Sequence, residues 1–340
     1  MKKITQIILL LFFQICLAQI DYSESWEDFY SYNNVKDFIK VDDDIYAIVD
    51  NAVFKYNLSS EELHKISSVN GLSGESTTSI FYSKSFEKLI IGYDTGLLEI
   101  IDKKGNITIA KDIVNFNYSG NKQINDITEL DNKLYLSTSF AIVIYNIESL
   151  QFGDTYFIGD QSTEIEVNEI LIVDENIYAA TEDGIFTANV FDPSLIDYKS
   201  WTHNFTGNFV SIEMFNNNVI TSRGRNLFSF NASMITPIKS YTQNIRSLKS
   251  SSNYLTISTQ RIVNVLDFNY VDIVNYTSTA SDEFYFSLNT AYFEEDIMFL
   301  GTQEFGILES NLQNISTFEE IHPVGPISNS PFSIAAKDNH

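Results

Sequence analysis

Between Val35 and Glu309 one pattern returns at a near-constant interval: an apolar strand, a polar turn, a second strand, a second turn and a third strand. Its clearest copy runs from Asn176 to Ala188, where Ile177–Ala179 and Ile185–Thr187 flank the turn Glu182-Asp183-Gly184. Asp-Gly between two β-prone runs is a strong hairpin signal, because glycine accepts the positive φ that such turns need. That rule places Gly184 in the turn itself. Equivalent central positions are Tyr46, Ile90, Tyr135, Tyr178, Ile220, Leu255 and Phe299, at spacings of 44, 45, 43, 42, 35 and 44 residues. Most copies also hold a weaker fourth strand.

A four-stranded unit at this period is the pattern of a propeller blade. One such sheet cannot bury both of its faces, so successive copies must stack and close into a ring. The prediction is an all-β fold, a seven-bladed β-propeller over residues 20–321. A β-sandwich with accidental periodicity is the competing reading. A parallel β-helix fits less well, since its repeat is shorter. The abundance of Tyr (19) and Phe (26) beside few Gly (14) and Pro (5) suits strands and argues against a disordered chain.

Ahead of the repeats, Met1-Lys2-Lys3 is followed by an apolar run from Ile7 to Leu17 and then Ala18-Gln19. A basic start, a short apolar core and a small residue before a polar one make a secretory signal peptide at 1–18, cut after Ala18. Cys16 invites a lipoprotein reading, but Ile15 stands where that cut wants a small residue. The chain is therefore expected in the periplasm or at the cell surface. Cys16 is its only cysteine, so the exported protein would fold without disulfides. No other stretch reads as a transmembrane segment. The net charge of −24 repels phosphate backbones and sets nucleic acid aside as a partner.

The two ends bear on closure of the ring. Trp26 to Tyr32 reads as an aromatic strand that could complete the outer edge of the seventh blade, a place for which Ile315 to Ile321 competes. Past it, residues 322–340 read as a linker, broken by Pro323 and Pro326, and the first strand of a second, truncated propeller.

Catalytic and cofactor patterns do not emerge. His64, His203, His322 and His340 lie in no metal-ligand spacing, and there is no phosphate loop, dinucleotide fingerprint or nucleophile elbow. Asp42-Asp43-Asp44 could offer oxygens to calcium but lies where a turn is expected. No catalytic, cofactor-binding or metal residue is assigned. One constellation remains. Lys36-Asp37, Asn125-Asp126 and Asn168-Glu169 each open a first strand with a polar pair. First strands line the channel of a propeller, so these residues would ring one of its mouths, as a binding site or because the channel is wet.

The stretches I-Y-A-A-T-E-D-G-I-F (177–186), L-I-I-G-Y-D-T-G-L-L-E-I-I-D (89–102), L-Y-L-S-T-S-F-A-I-V-I-Y-N (134–146), D-T-Y-F-I-G (154–159) and S-W-E-D-F-Y-S-Y-N-N-V (25–35) together resemble the PorZ family, over essentially all of residues 20–340. That family is a surface component of the type IX secretion system of Bacteroidota. The resemblance implies two seven-bladed propellers and a C-terminal sorting domain of β-sandwich type. It implies partners, the sortase PorU together with PorV and PorQ, in the complex that attaches cargo to anionic lipopolysaccharide. The expected role is non-enzymatic: a scaffold, or a carrier that delivers the lipopolysaccharide. No ligand residue is carried over. The alternatives are a sensor propeller of the two-component-regulator type, and a propeller that binds or cleaves polysaccharide.

Overall fold

The computed structural model describes residues 28–231, 234–278, 285–315 and 317–330. The leader expected at 1–18, and most of the second-propeller strand expected before His340, lie outside the described residues. The rest is seven four-stranded antiparallel sheets, each with its strands side by side in chain order. They occupy residues 37–66, 77–110, 124–156, 167–206, 211–240, 245–277 and 288–321, here blades 1 to 7. The weak fourth strand of the sequence pattern is present in every blade.

The physical reason for the pattern is that each blade is covered on both faces. A strand buried on both faces reads as a continuous apolar run, not an alternation. Leu134 to Thr138 and Leu255 to Thr259 are buried without a break. Cores form between blades: Ile142 and Ile144 of blade 3 pack with Ile170, Ile177 and Phe186 of blade 4. The seam between last and first blades is built the same way, from Phe38, Ala47 and Phe54 of blade 1 with Phe299, Ile307 and Ile321 of blade 7.

A threonine at the end of the second strand ties the turn to the third. Thr181 Oγ1 donates to the Gly184 carbonyl at 2.8 Å and accepts from the Gly184 N–H at 2.9 Å. Thr138 makes both bonds to Ala141, and Thr259 to Ile262. In these three turns the hydroxyl closes the loop without a glycine at positive φ, whereas in the longer turn of blade 7 Thr302 also bonds the Gly306 carbonyl and Gly306 takes φ of +67°. Gly184, expected at positive φ, is not among the residues with positive φ and is the first residue of its strand. What it supplies is space: a Cβ there would meet the Phe205 carbonyl at 2.0 Å and His203 Nε2 at 2.3 Å. The turn of blade 2 lacks the threonine, and its Gly96 does take φ of +84°.

Two further expectations change. In blade 6 the position equivalent to Tyr46 or Ile220 is Thr256, one residue after Leu255. Thr256 pairs with Lys249 as Ile220 pairs with Glu213. The outer edge of blade 7 is Glu319–Ile321, so the N-terminal stretch does not complete that sheet. Residues 28–34 instead run without strand structure across the closing seam. Tyr32 is buried there, Asn33 accepts from the Gly306 N–H at 2.7 Å, and the Val35 N–H donates to Thr302 at 2.8 Å. Residues 322–330 lie back against this stretch and against blade 1: Ser31 Oγ donates to Ile327 at 3.0 Å, the Ser31 N–H to Asn329 Oδ1 at 2.6 Å, and Lys65 Nζ of blade 1 to Val324 at 3.1 Å.

Candidate functional site

The first strand of each blade faces the ring axis, and the residue that enters it is Lys36, Thr78, Asn125, Asn168, Val210, Arg246 or Asn289. Six of these seven donate from the side chain to a backbone carbonyl of the next blade. Lys36 Nζ reaches Thr77 at 2.9 Å, Thr78 Oγ1 reaches Ile124 at 2.7 Å, and Asn125 Nδ2 reaches Val167 at 2.8 Å. Asn168 Nδ2 reaches Phe209 at 2.7 Å, Arg246 Nη1 reaches Leu288, and Asn289 Nδ2 reaches Val35 at 2.8 Å. In each case the acceptor is the carbonyl just before the next blade's entering residue. Backbone groups at this depth need partners, and the neighbouring side chain supplies one. Val210 is the exception, since its side chain has no donor.

The second position repeats the device with the opposite polarity. Asp126 Oδ2 accepts from the Ile170 N–H at 3.3 Å, and Glu169 Oε2 from the Ile212 N–H at 2.7 Å. Asp37 instead pairs with Lys249 of blade 6 at 2.7 Å, across the width of blade 7. Glu213, two positions further in, accepts from Ser250 Oγ at 3.0 Å.

Burial is the main influence on these carboxyls. It pushes the Asp126 pKa up to about 6, with Asp37 adding to the rise and the Ile127 and Ile170 N–H groups opposing it. Glu169 is held well above the carboxylate range by burial first and then by the charges of Asp126 and Glu213. Glu213 is raised by burial, against the Ser250 hydrogen bond.

The six residues singled out by sequence, Lys36, Asp37, Asn125, Asp126, Asn168 and Glu169, all line one central cavity of about 330 Å³. A wider basin of about 770 Å³ opens beside it, bordered by Asn34, Lys36, Asp50, Gln303 and Ile327. Sequence reading missed Thr78, Arg246 and Asn289, which hold the same entering position. The signal was a polar side chain recurring there, legible once the first strands are put in register.

The arrangement binds blade to blade. Its carboxylates face backbone N–H groups, a hydroxyl or a lysine. Among the described residues no group of three His, Cys, Asp or Glu side chains is placed to hold a metal ion. His64 and His322 stand beside Glu62 and Glu320, and His203 stacks on Phe186 at 4.4 Å. Asp42 and Asp44 pair with Lys84 and Lys55, and Asp43 accepts from Ser59.

Residues 45–202, essentially blades 1 to 4, match the family model described as the N-terminal β-propeller domain of PorZ of the type IX secretion system. No curated protein sequence matches. Among solved structures, the chain superposes on PorZ of Porphyromonas gingivalis with a TM-score of 0.73 at 17% identity. That alignment covers 89% of this chain and 40% of that one. The extracellular domain of a putative hybrid two-component system from B. thetaiotaomicron gives 0.62 at 16% identity, over 82% of this chain and 40% of that one. The U3-55K protein gives 0.60 at 11% identity, over 81% and 90%. The chain thus spans well under half the length of the PorZ structure, and at these identities the superpositions establish the fold alone.

Proposed function

We propose, from the premise that this is a PorZ-like N-terminal β-propeller, that the chain is a non-catalytic component of a type IX secretion attachment complex at the outer membrane. In this reading it is exported by its leader. It acts as a scaffold beside PorU-, PorV- and PorQ-like proteins and as a carrier of anionic lipopolysaccharide. The observation that carries the proposal is the family match across blades 1 to 4, continuous with the structural likeness to a protein described as an essential surface component of that system. The channel supports a scaffold more than a reaction chamber, since its polar groups are spent on joining the blades. Affinity purification of the tagged protein from its native cells tests this. Recovery of PorU- and PorV-like partners, with loss of cargo anchoring in a deletion strain, is the expected result. Recovery of neither, with normal anchoring, overturns the reading.

The likeness to the two-component extracellular domain favours a second reading, the sensor propeller of a signalling receptor. Reading the gene past His340 separates the two. A sorting domain of β-sandwich type supports the first, and a transmembrane helix with a kinase domain supports the second.

A further inference from the structure

We propose that the face of blades 5 and 6 carrying Arg223, Arg225 and Arg261 is the docking surface for a multiply anionic saccharide. The proposal assigns a location to the saccharide-binding part of the function proposed above, and for its ligand class it rests on that reading.

With Arg246, these are all the arginines of the chain, in a sequence with 45 acidic residues and 21 basic ones. The lysines are widely paired with carboxylates, as in Lys40–Glu294, Lys55–Asp44 and Lys103–Glu87. Among the described residues no arginine has a carboxylate within ion-pair distance. Arg223 Nη1 donates to the Thr206 carbonyl at 2.9 Å and Arg246 Nη1 to the Leu288 carbonyl, bonds that leave the guanidinium charge without a counter-ion among the described residues.

The fold brings them together. Arg223 and Arg225 flank the turn at Gly224, and Arg261 closes the corresponding turn of blade 6, in the place of Arg225. Residues 241–245 run between the two turns. The Tyr241 N–H donates to the Arg225 carbonyl at 2.8 Å and the Ile245 N–H to the Gly224 carbonyl at 2.8 Å. Gln243 Oε1 accepts from the Arg261 N–H at 3.1 Å. Arg246 follows at once, at the channel rim, where its guanidinium is held by the Leu288 carbonyl and marks the inner end of the strip. The strip therefore runs along the seam of blades 5 and 6 to the mouth of the channel.

The guanidinium planes are held by aromatic rings. Arg223 lies 5.4 Å from both Phe209 and Phe228, and Arg261 lies 4.1 Å from the half-exposed Tyr285. Arg261 Nη1 is shielded from solvent and has no acceptor, an unusual state for so strong a donor. A guanidinium fork matches the paired oxygens of sulfate, phosphate or carboxylate. The half-exposed ring of Tyr285 suits a sugar ring, and the side-chain amides of Gln243 and Asn244 suit its hydroxyls.

The surroundings decide between a saccharide and an acidic protein. On the same face the strip is flanked by Glu182-Asp183 on blade 4 and Glu304 on blade 7. A broad acidic surface would press against both. A thin chain along the seam of blades 5 and 6 need not cross either turn.

The test titrates the purified chain with dextran sulfate, unmodified dextran and polyglutamate at physiological salt. Comparison proteins are the R225Q/R261Q variant and a K84Q/K103Q control on the opposite face. The expected result is binding of dextran sulfate alone, weakened at least tenfold in R225Q/R261Q with an unchanged melting temperature, and unaltered in the control. Equal binding by wild type and R225Q/R261Q overturns the assigned face and leaves the saccharide reading standing. Polyglutamate binding as tightly as dextran sulfate overturns the ligand class. No binding of dextran sulfate by the wild type overturns this proposal and the saccharide-carrying part of the proposed function together.

Discussion

Asn289 Nδ2 lies 2.8 Å from the carbonyl oxygen of Val35, and that hydrogen bond joins the last blade to the first. The same bond recurs at junctions where the chain is continuous, as from Asn125 to Val167. At the closing seam it has no covalent backing. Removing it by Asn289→Ala is expected to cost about 1–2 kcal/mol, the price of a buried carbonyl left without its donor. Hydrogen exchange should quicken at the Val35 and Gly306 amides, which bond across the seam to Thr302 and Asn33. Asn125→Ala should cost a similar amount without that local opening. Unchanged exchange at Val35 and Gly306 in Asn289→Ala would mean that the seam is held by its apolar core alone.

The channel carboxyls predict an inverted pH dependence. Asp126 has its pKa raised from 3.8 to about 6, and Glu169 and Glu213 are raised as well. A raised carboxyl pKa means the folded state binds a proton that the unfolded chain has released. Its stabilising contribution is fully present below about pH 4 and is lost as the pH rises through about 6. Asp126 is only partly buried where it lines the central cavity, so the effect is expected near 1 kcal/mol, about one pKa unit, not the full shift. Thermal melts should show higher stability at pH 5.5 than at pH 7.5. Asp126→Asn should flatten that difference and raise stability at pH 7.5. A wild type that melts lower at pH 5.5 than at pH 7.5 contradicts the assignment.

Gly184 tests the difference between a turn glycine and a space-making one. Gly184→Ala puts a methyl group against the Phe205 carbonyl and the His203 ring. Overpacking of this kind costs about 1–3 kcal/mol, and backbone as the obstacle puts this case at the upper end. Gly105 has φ of +82° and open space around its Cβ position, so Gly105→Ala should cost only about 1 kcal/mol of backbone strain. Equal melting temperatures for the two variants would refute the packing account.

Much of the ring was legible in the sequence because burial on both faces of a blade writes an apolar run into every middle strand. Runs such as Leu134–Leu136 and Ile177–Ala180 then recur at the blade period. Registers were less legible where that run is diluted. In blade 6, Leu255-Thr256-Ile257 sets one apolar residue on each side of the true equivalent, Thr256, so the apolar pattern points to Leu255, one residue early. Gly184 misled for a different reason: the Thr181 hydroxyl does the work usually left to a glycine φ, and that hydrogen bond has no signature within the turn itself. The polar entering pairs were found at Lys36, Asn125 and Asn168. Their role as stitches between blades was hidden, because the acceptor is a backbone carbonyl about one blade away.

Val210 is the one entering residue without a donor, and the junction of blades 5 and 6 lacks the stitch found at the other six. Ile245 holds the acceptor place, being the residue before Arg246, as Val167 and Leu288 are at their own junctions. Val210→Asn would set a side-chain amide at the position from which Asn168 reaches Phe209. Asparagine is worse than valine in a strand, and that loss works against the substitution. The Val210 side chain is already partly exposed, so little apolar burial is forfeited. A neutral hydrogen bond to a sheltered carbonyl contributes about 1 kcal/mol, which leaves a net gain of roughly 0.5 kcal/mol. The melting temperature should rise by about one to two degrees in a domain of this size. Val210→Ala is the control, since it loses the β-branch and gains no donor, and it should melt below the wild type. If Val210→Asn melts no higher than Val210→Ala, the amide contributes no stitch to Ile245 and the expected gain at this junction is refuted.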